Sequence, residues 1–148
     1  APAQKINLQI QSAADYQASL MANQKTVSHR WRRPREASTP GKRLLHFKYP
    51  YSRVSENLAR VFLLNTPAGK SFRINTRGQA VDKSGVPIPN KSYRQLAQYA
   101  VNGWLASPGH RQNLLGPEEE IGIGISKLVP DENGLDFDVY LTQKFASP

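Results

Sequence analysis

Three histidines, His29, His46 and His110, and the glutamate Glu56 are the side chains of this 148-residue sequence best suited to chemistry. A neutral imidazole is a good ligand for divalent metals, and beside a carboxylate it can move a proton. His110 lies in WLASPGHRQNLL, Trp104 to Leu115, where a helical pattern stops at Pro108-Gly109 and the apolar pair Leu114 and Leu115 anchors the far side. His29 follows the end of one predicted helix. Glu56 is expected to open another, where the backbone dipole favours a carboxylate. If the three meet in a cleft, two imidazoles and a carboxylate would hold a divalent cation with positions open to water, or share general acid and base work. His46, between Leu45 and Phe47, reads as a packed side chain.

The elements that would have to position these groups follow from hydrophobic period. Ser12 to Asn23 reads as a helix, with Ser12 and Asp15 at the spacing of an N-terminal cap and Ala13, Ala14, Tyr16, Leu20 and Met21 on one stripe. Arg30 to Gly41, rich in Arg and Pro, has no period and reads as a loop. Val54, Leu58, Val61 and Phe62 fall at helical spacing, so a second short helix is predicted from about Ser52 to Thr66. Residues 68–91 carry two short β-like runs, Ser71 to Thr76 and Val81 to Ile88, broken by prolines, which predicts an irregular edge hairpin inserted in the domain. Ser92 then opens a helix through Leu96, Tyr99, Ala100 and Trp104, its stripe facing the core.

The last third carries a clear β signal. Ile121, Ile123 and Ile125 alternate with Gly122, Gly124 and Ser126, so one face has bulk and the other lets a helix or another backbone come close. Asp131-Glu132-Asn133-Gly134 supplies a turn, and Phe137 to Phe145 alternates again, predicting an antiparallel hairpin. The consecutive Glu118, Glu119 and Glu120 read as a solvated turn. The pattern as a whole predicts one α+β domain with helices against an antiparallel sheet.

The absence of cysteine excludes disulfides, thiolate metal sites and a thiol nucleophile. No apolar run is long enough to cross a membrane, so no transmembrane segment is expected. The small residues Ala1-Pro2-Ala3 resemble what is left at a signal-peptide cut and hint at export. The formal net charge is +9, and from Lys25 to Arg53 nine basic residues face Glu36 alone. Such a segment attracts polyanions unless its arginines are paired with the acidic residues of the C-terminal half. Gly69-Lys70-Ser71 lacks the earlier glycine of a phosphate-binding loop, and neither HExxH nor G-x-S-x-G occurs.

Four motifs in order, SENLA (Ser55 to Ala59), SPGHRQNLL (Ser107 to Leu115), IGIGIS (Ile121 to Ser126) and YLTQKFA (Tyr140 to Ala146), resemble those of the CAP superfamily. That superfamily comprises the cysteine-rich secretory, antigen 5 and pathogenesis-related 1 proteins, also called SCP-like extracellular proteins, and here the likeness is to its cysteine-free bacterial type. The resemblance implies an α-β-α sandwich with a central antiparallel sheet flanked by helices. It also implies a cleft that gathers His29, Glu56 and His110, the His29 and His110 pair binding a divalent metal such as zinc in some members. Three departures stand out. Ser107 replaces the family's second cleft glutamate, Ser55 replaces the glycine before Glu56, and the opening helix is expected to be short or missing before Ser12.

These features lead to the expectation of a secreted or periplasmic, monomeric binding module for an envelope or extracellular ligand, whether anionic lipid, glycan or protein, with or without a divalent metal. The alternative is a metal-assisted peptidase or esterase in which His29 and His110 hold the metal and Glu56 is the base. Nucleic acid is not expected as a partner, although Trp31, Tyr49 and Tyr51 interleave with the basic segment as stacking candidates.

Overall fold

The isoleucine run folds as its alternation predicts, and its glycines decide what lies against it. In the computed structural model, which describes residues 3–67 and 69–148, strand β5 (Glu120–Ile125) turns Gly122 and Gly124 toward helix α1 (Leu8–Gln24). A Cβ on Gly122 would come within 2.4 Å of Gln11 N, and one on Gly124 within 2.1 Å of Ala14 O. The facing side of α1 is correspondingly small, with Ala13, Ala14, Ala18 and Ala22 buried beside Ile10 and Met21. Helix backbone and sheet therefore touch without side chains between them. Ala1 and Pro2, read as the remnant of a signal-peptide cut, and Ala68, first residue of the predicted insertion, lie outside the described residues.

Helix α1 starts earlier than its sequence pattern suggests. Asn7, not Ser12, is its cap, accepting from the backbone N–H of Gln9 and Ile10. The residues just before Ser12 thus add one turn to this same helix, and among the described residues no separate helix precedes it; Lys25 closes α1 in the left-handed conformation. The Arg30 to Gly41 loop contains a 3-10 turn at Arg35–Ala37 and gives way at Pro40 to a helix that no hydrophobic period marks, α2 (Pro40–His46), capped by Thr39. His46 is exposed, its ring stacked on Tyr16 with centroids 5.7 Å apart.

The predicted second helix is a strand. β2 (Arg53–Phe62) pairs in full antiparallel register with β7 (Phe137–Ser147). Val54, Leu58 and Val61 satisfy a helical spacing by coincidence. Glu56, Asn57 and Leu58 are all buried because both faces of β2 are covered, which hides the period of two. The sheet runs β1-β5-β7-β2, where β1 (Lys5–Ile6) joins β5 in parallel and β6 (Val129–Pro130) adds to β7. It is thus antiparallel except at the β1 edge.

Helices cover both faces. Against α1, Ile10, Ala13, Leu44, Tyr49 and Ala146 form one cluster, and Met21, Ala22, Leu58, Val129 and Tyr140 another. On the opposite face, α3 (Tyr93–Ala106) brings Leu96, Ala100 and Trp104 onto Val61, Leu63, Val139 and Leu141. Ser92 caps α3 with Gln95 in a reciprocal box, as the sequence predicts. Pro108-Gly109 does not simply end a helix; Ser107 is the break, and Pro108 opens a further helix, α4 (Pro108–Leu114). Leu114 packs on the core and Leu115 is exposed. The arrangement is an α+β sandwich of helix, sheet and helix. Within residues 68–91, β3 (Arg73–Ile74) and β4 (Ala80–Val81) form a small separate hairpin.

The acidic triplet is not a solvated turn. Glu118 is buried, Glu119 is exposed, and Glu120 opens β5 while accepting from Asn7 Nδ2 and the Tyr49 hydroxyl. Gly124→Ala is expected to destabilise the fold by at least about 1–3 kcal/mol in urea unfolding, because the new methyl meets backbone. Gly103→Ala, in α3 with open space around it, is expected to stabilise by about 0.5–1 kcal/mol in the same measurement.

Candidate functional site

Register places Glu56 of β2 directly opposite Lys144 of β7. Cross-strand neighbours on one face lie close enough for opposite charges to meet. Lys144 Nζ donates to Glu56 Oε2, and Arg43 Nη2, delivered by α2, donates to Oε1 at 3.0 Å and to Oε2 at 3.1 Å. His29 Nδ1 stands 2.9 Å from Oε1. The Arg43 and Lys144 side chains are 0% exposed and that of Glu56 1%, whereas His29 is 48% exposed. Four groups thus share one locus, and only the imidazole reaches solvent.

Electrostatics fixes the protonation of this cluster. Burial alone would raise the Glu56 carboxyl, but the Lys144 ammonium first, then the His29 hydrogen bond and the Arg43 guanidinium, hold it down to about 2. Burial also lowers the Lys144 ammonium to about 8 against the pull of Glu56, and lowers Arg43 from its ordinary value. At neutral pH the carboxylate is ionised and can only accept, so Nδ1 carries the hydrogen of the His29 contact. Nε2 is then the free nitrogen of the neutral ring.

The loop carrying His29 is held from beneath. Arg43 also donates to the backbone carbonyls of His29 at 3.1 Å and Ala37 at 2.9 Å. Gln17 of α1, fully buried, donates to Ser28 O at 2.7 Å and accepts from Trp31 Nε1 at 2.9 Å. The helix that delivers the chain to His29 therefore also braces it on both sides in sequence.

Of the three expected cleft residues, the structure joins His29 and Glu56 directly. His110 falls in the first turn of α4, and its carbonyl accepts from Asn57 Nδ2 at 3.1 Å. Asn113 Nδ2 in turn donates to Asn57 Oδ1 at 2.8 Å and to Glu56 O at 3.3 Å. Strand alternation sends the Glu56 and Asn57 side chains to opposite faces of β2, so His110 is tied to the site through Asn57 and the backbone. Among the described residues its ring makes no hydrogen bond to His29 or Glu56, and no three His, Cys, Asp or Glu side chains are grouped to hold a metal ion. Glu56 lies under His29 with every carboxylate oxygen bonded, a position from which it cannot act as a solvent-facing base.

Arg43, Lys144, Gln17 and Asn113 are the residues that sequence reasoning missed. Lys144 left one signal, a lysine inside an otherwise uncharged run from Tyr140 to Ala146 that must be buried on both faces. The basic segment also differs from its expected form. Arg43 is its one buried member, and it pairs within the N-terminal half. The other eight cations are exposed, and among the described residues none of them forms a salt bridge. The stacking candidates are turned inward, Trp31 onto Gln17 and Tyr49 into the core, while Tyr51 lies over Gly41.

A family model described as the cysteine-rich secretory protein family, CAP, matches residues 1–145. Among solved structures, an extracellular protein containing an SCP domain from Bacillus anthracis str. Ames superposes with a TM-score of 0.58 at 24% identity, over 99% of this chain and 34% of that one. An outer surface protein from Borrelia burgdorferi superposes with a TM-score of 0.59 at 15% identity, over 99% of this chain and 80% of the other. The chain thus spans about a third of the Bacillus protein, and both likenesses are of fold. No curated protein matches.

Glu56→Gln would strand two buried cations, and urea unfolding is expected to show a loss of about 3–5 kcal/mol, more than for Lys144→Met, which leaves the Arg43 pair in place. Because the folded Glu56 carboxyl, at about 2, lies below its unfolded value, its contribution is full above about pH 4.3 and fades as pH falls through about 2. Unfolding midpoints followed from pH 5 downward should decline accordingly.

Proposed function

The chain belongs to the cysteine-rich secretory protein (CAP) family, and from that premise we propose that it is an exported binding module for an anionic ligand of the cell envelope or extracellular space. The observation that carries this reading is the row of exposed cations, Arg30, Arg32, Arg33 and Arg35, that follows directly on the half-exposed His29 and, among the described residues, forms no salt bridge with an acidic side chain. Unpaired guanidinium groups on a braced loop offer planar donors to phosphate or carboxylate and draw such ligands from a distance. The names of the two structural neighbours, one extracellular and one on an outer surface, support export.

A hydrolytic reading draws on one observation, the Glu56 contact that leaves Nε2 as the unprotonated nitrogen of the half-exposed His29 ring. In that reading the base would be His29, not Glu56, and a peptidase or esterase activity lost in His29→Gln and kept in His46→Ala would favour it.

Binding is checked by sedimentation with vesicles containing an anionic phospholipid and, separately, with an acidic wall polymer. Binding to at least one should weaken as salt rises, and the triple reversal Arg32→Glu, Arg33→Glu, Arg35→Glu should weaken it about tenfold or more without lowering the unfolding temperature. Failure to bind either probe at low salt, or binding indifferent to the reversals, would contradict the proposal.

A further inference from the structure

We propose that Arg43 and Lys144 are built-in counter-ions of the cleft carboxylate that take the electrostatic place of a metal, so that the His29 site of this chain excludes divalent cations. Where a histidine serves as a metal ligand, a carboxylate behind the ring sets its tautomer and, through its unneutralised negative charge, makes it a stronger donor. The first half of that arrangement is present, since His29 Nδ1 is 2.9 Å from Glu56 Oε1. The second half is reversed.

Glu56 brings one negative charge, and Arg43 and Lys144 bring two positive ones in direct hydrogen-bond contact with it. The buried cluster behind His29 therefore carries one net positive charge. All three side chains are essentially sealed from solvent, so water and salt do little to screen that charge from an ion at the free ring nitrogen. A divalent cation there would be repelled by the group that ordinarily attracts it.

Ligand supply points the same way. Glu56 has no oxygen free to reach outward, its carboxylate being bonded by Arg43, Lys144 and His29 at once. Turning it to a metal would leave a guanidinium and an ammonium buried without a counter-charge, at a large cost. Ser107 at the α3–α4 break brings a hydroxyl, not a carboxylate. His29 and His110 then remain as the neutral donors, short of the three protein ligands of a catalytic zinc centre. The inference does not depend on which anion, if any, the basic loop takes up.

The test is a zinc chloride titration of the whole chain, followed by calorimetry and by the imidazole 15N resonances of His29. The expected result is no saturable site tighter than about 0.1 mM that shifts His29. Zinc bound equally by the parent chain and by His29→Ala is held elsewhere on the surface and agrees with the proposal. Zinc bound more tightly than about 0.1 mM and lost in His29→Ala would overturn it. Lys144→Met removes one of the two buried positive charges and is expected to tighten zinc at His29 about tenfold or more. A folded Lys144→Met chain with no gain would also overturn the proposal. If that variant does not fold, the parent titration decides alone.

Discussion

A carboxylate shut away from water must be matched in charge, and the matching of Glu56 organises this molecule. Its partners come from three separate places: Lys144 from the neighbouring strand, Arg43 from α2, and His29 from the loop after α1. Each connection constrains an element. The Lys144 pair requires the β2–β7 register, since a slip of one residue would turn Glu56 to the opposite face. The Arg43 pair requires α2 to lie against β2, and the same guanidinium reaches back to the carbonyls of Ala37 and His29.

Removing two cations and an anion from water costs about as much as their mutual attraction returns, so the cluster is not where the fold gains its net stability. Apolar burial on the two faces of the sheet supplies that, through α1 on one side and α3 on the other. What the ions add is position. They hold a half-exposed imidazole in one tautomer at the foot of a loop of arginines, on a site whose rigid parts are all beneath the surface. Asn57 and Asn113 do the same for α4, bonding it to the backbone of β2 where Trp104 Nε1 also donates to Leu58 O.

Much of this was legible in the residues and some was not, for definable reasons. The β5–β7 pairing, the glycine face under a helix and the Ser92 cap are local patterns, and each reads directly from spacing. β2 misled because Glu56 and Asn57 are polar yet buried, so hydropathy cannot report their period, while Val54, Leu58 and Val61 match a helix by accident. α2 is short and begins inside a Pro-rich stretch, and it is recognisable only from Thr39-Pro40 as cap and first residue. The nearness of His29 to Glu56 came from family resemblance. Nothing local marked Arg43 as a companion, because a charge buried by long-range pairing looks in sequence like any surface charge, and Lys144 stood out only as a lysine in an uncharged run, with no sign of its partner. Arg43 in particular was indistinguishable from the eight solvated cations around it.

The central claim is that an ionised, doubly neutralised Glu56 holds the His29 ring through Nδ1–H. Long-range 1H–15N correlation of the imidazole, at a pH where the ring is neutral, reads this directly. The account predicts a protonated Nδ1 and a bare Nε2, the tautomer that a free histidine disfavours. A spectrum showing Nε2–H and a bare Nδ1 would mean that the carboxylate does not hold the ring, and would contradict it.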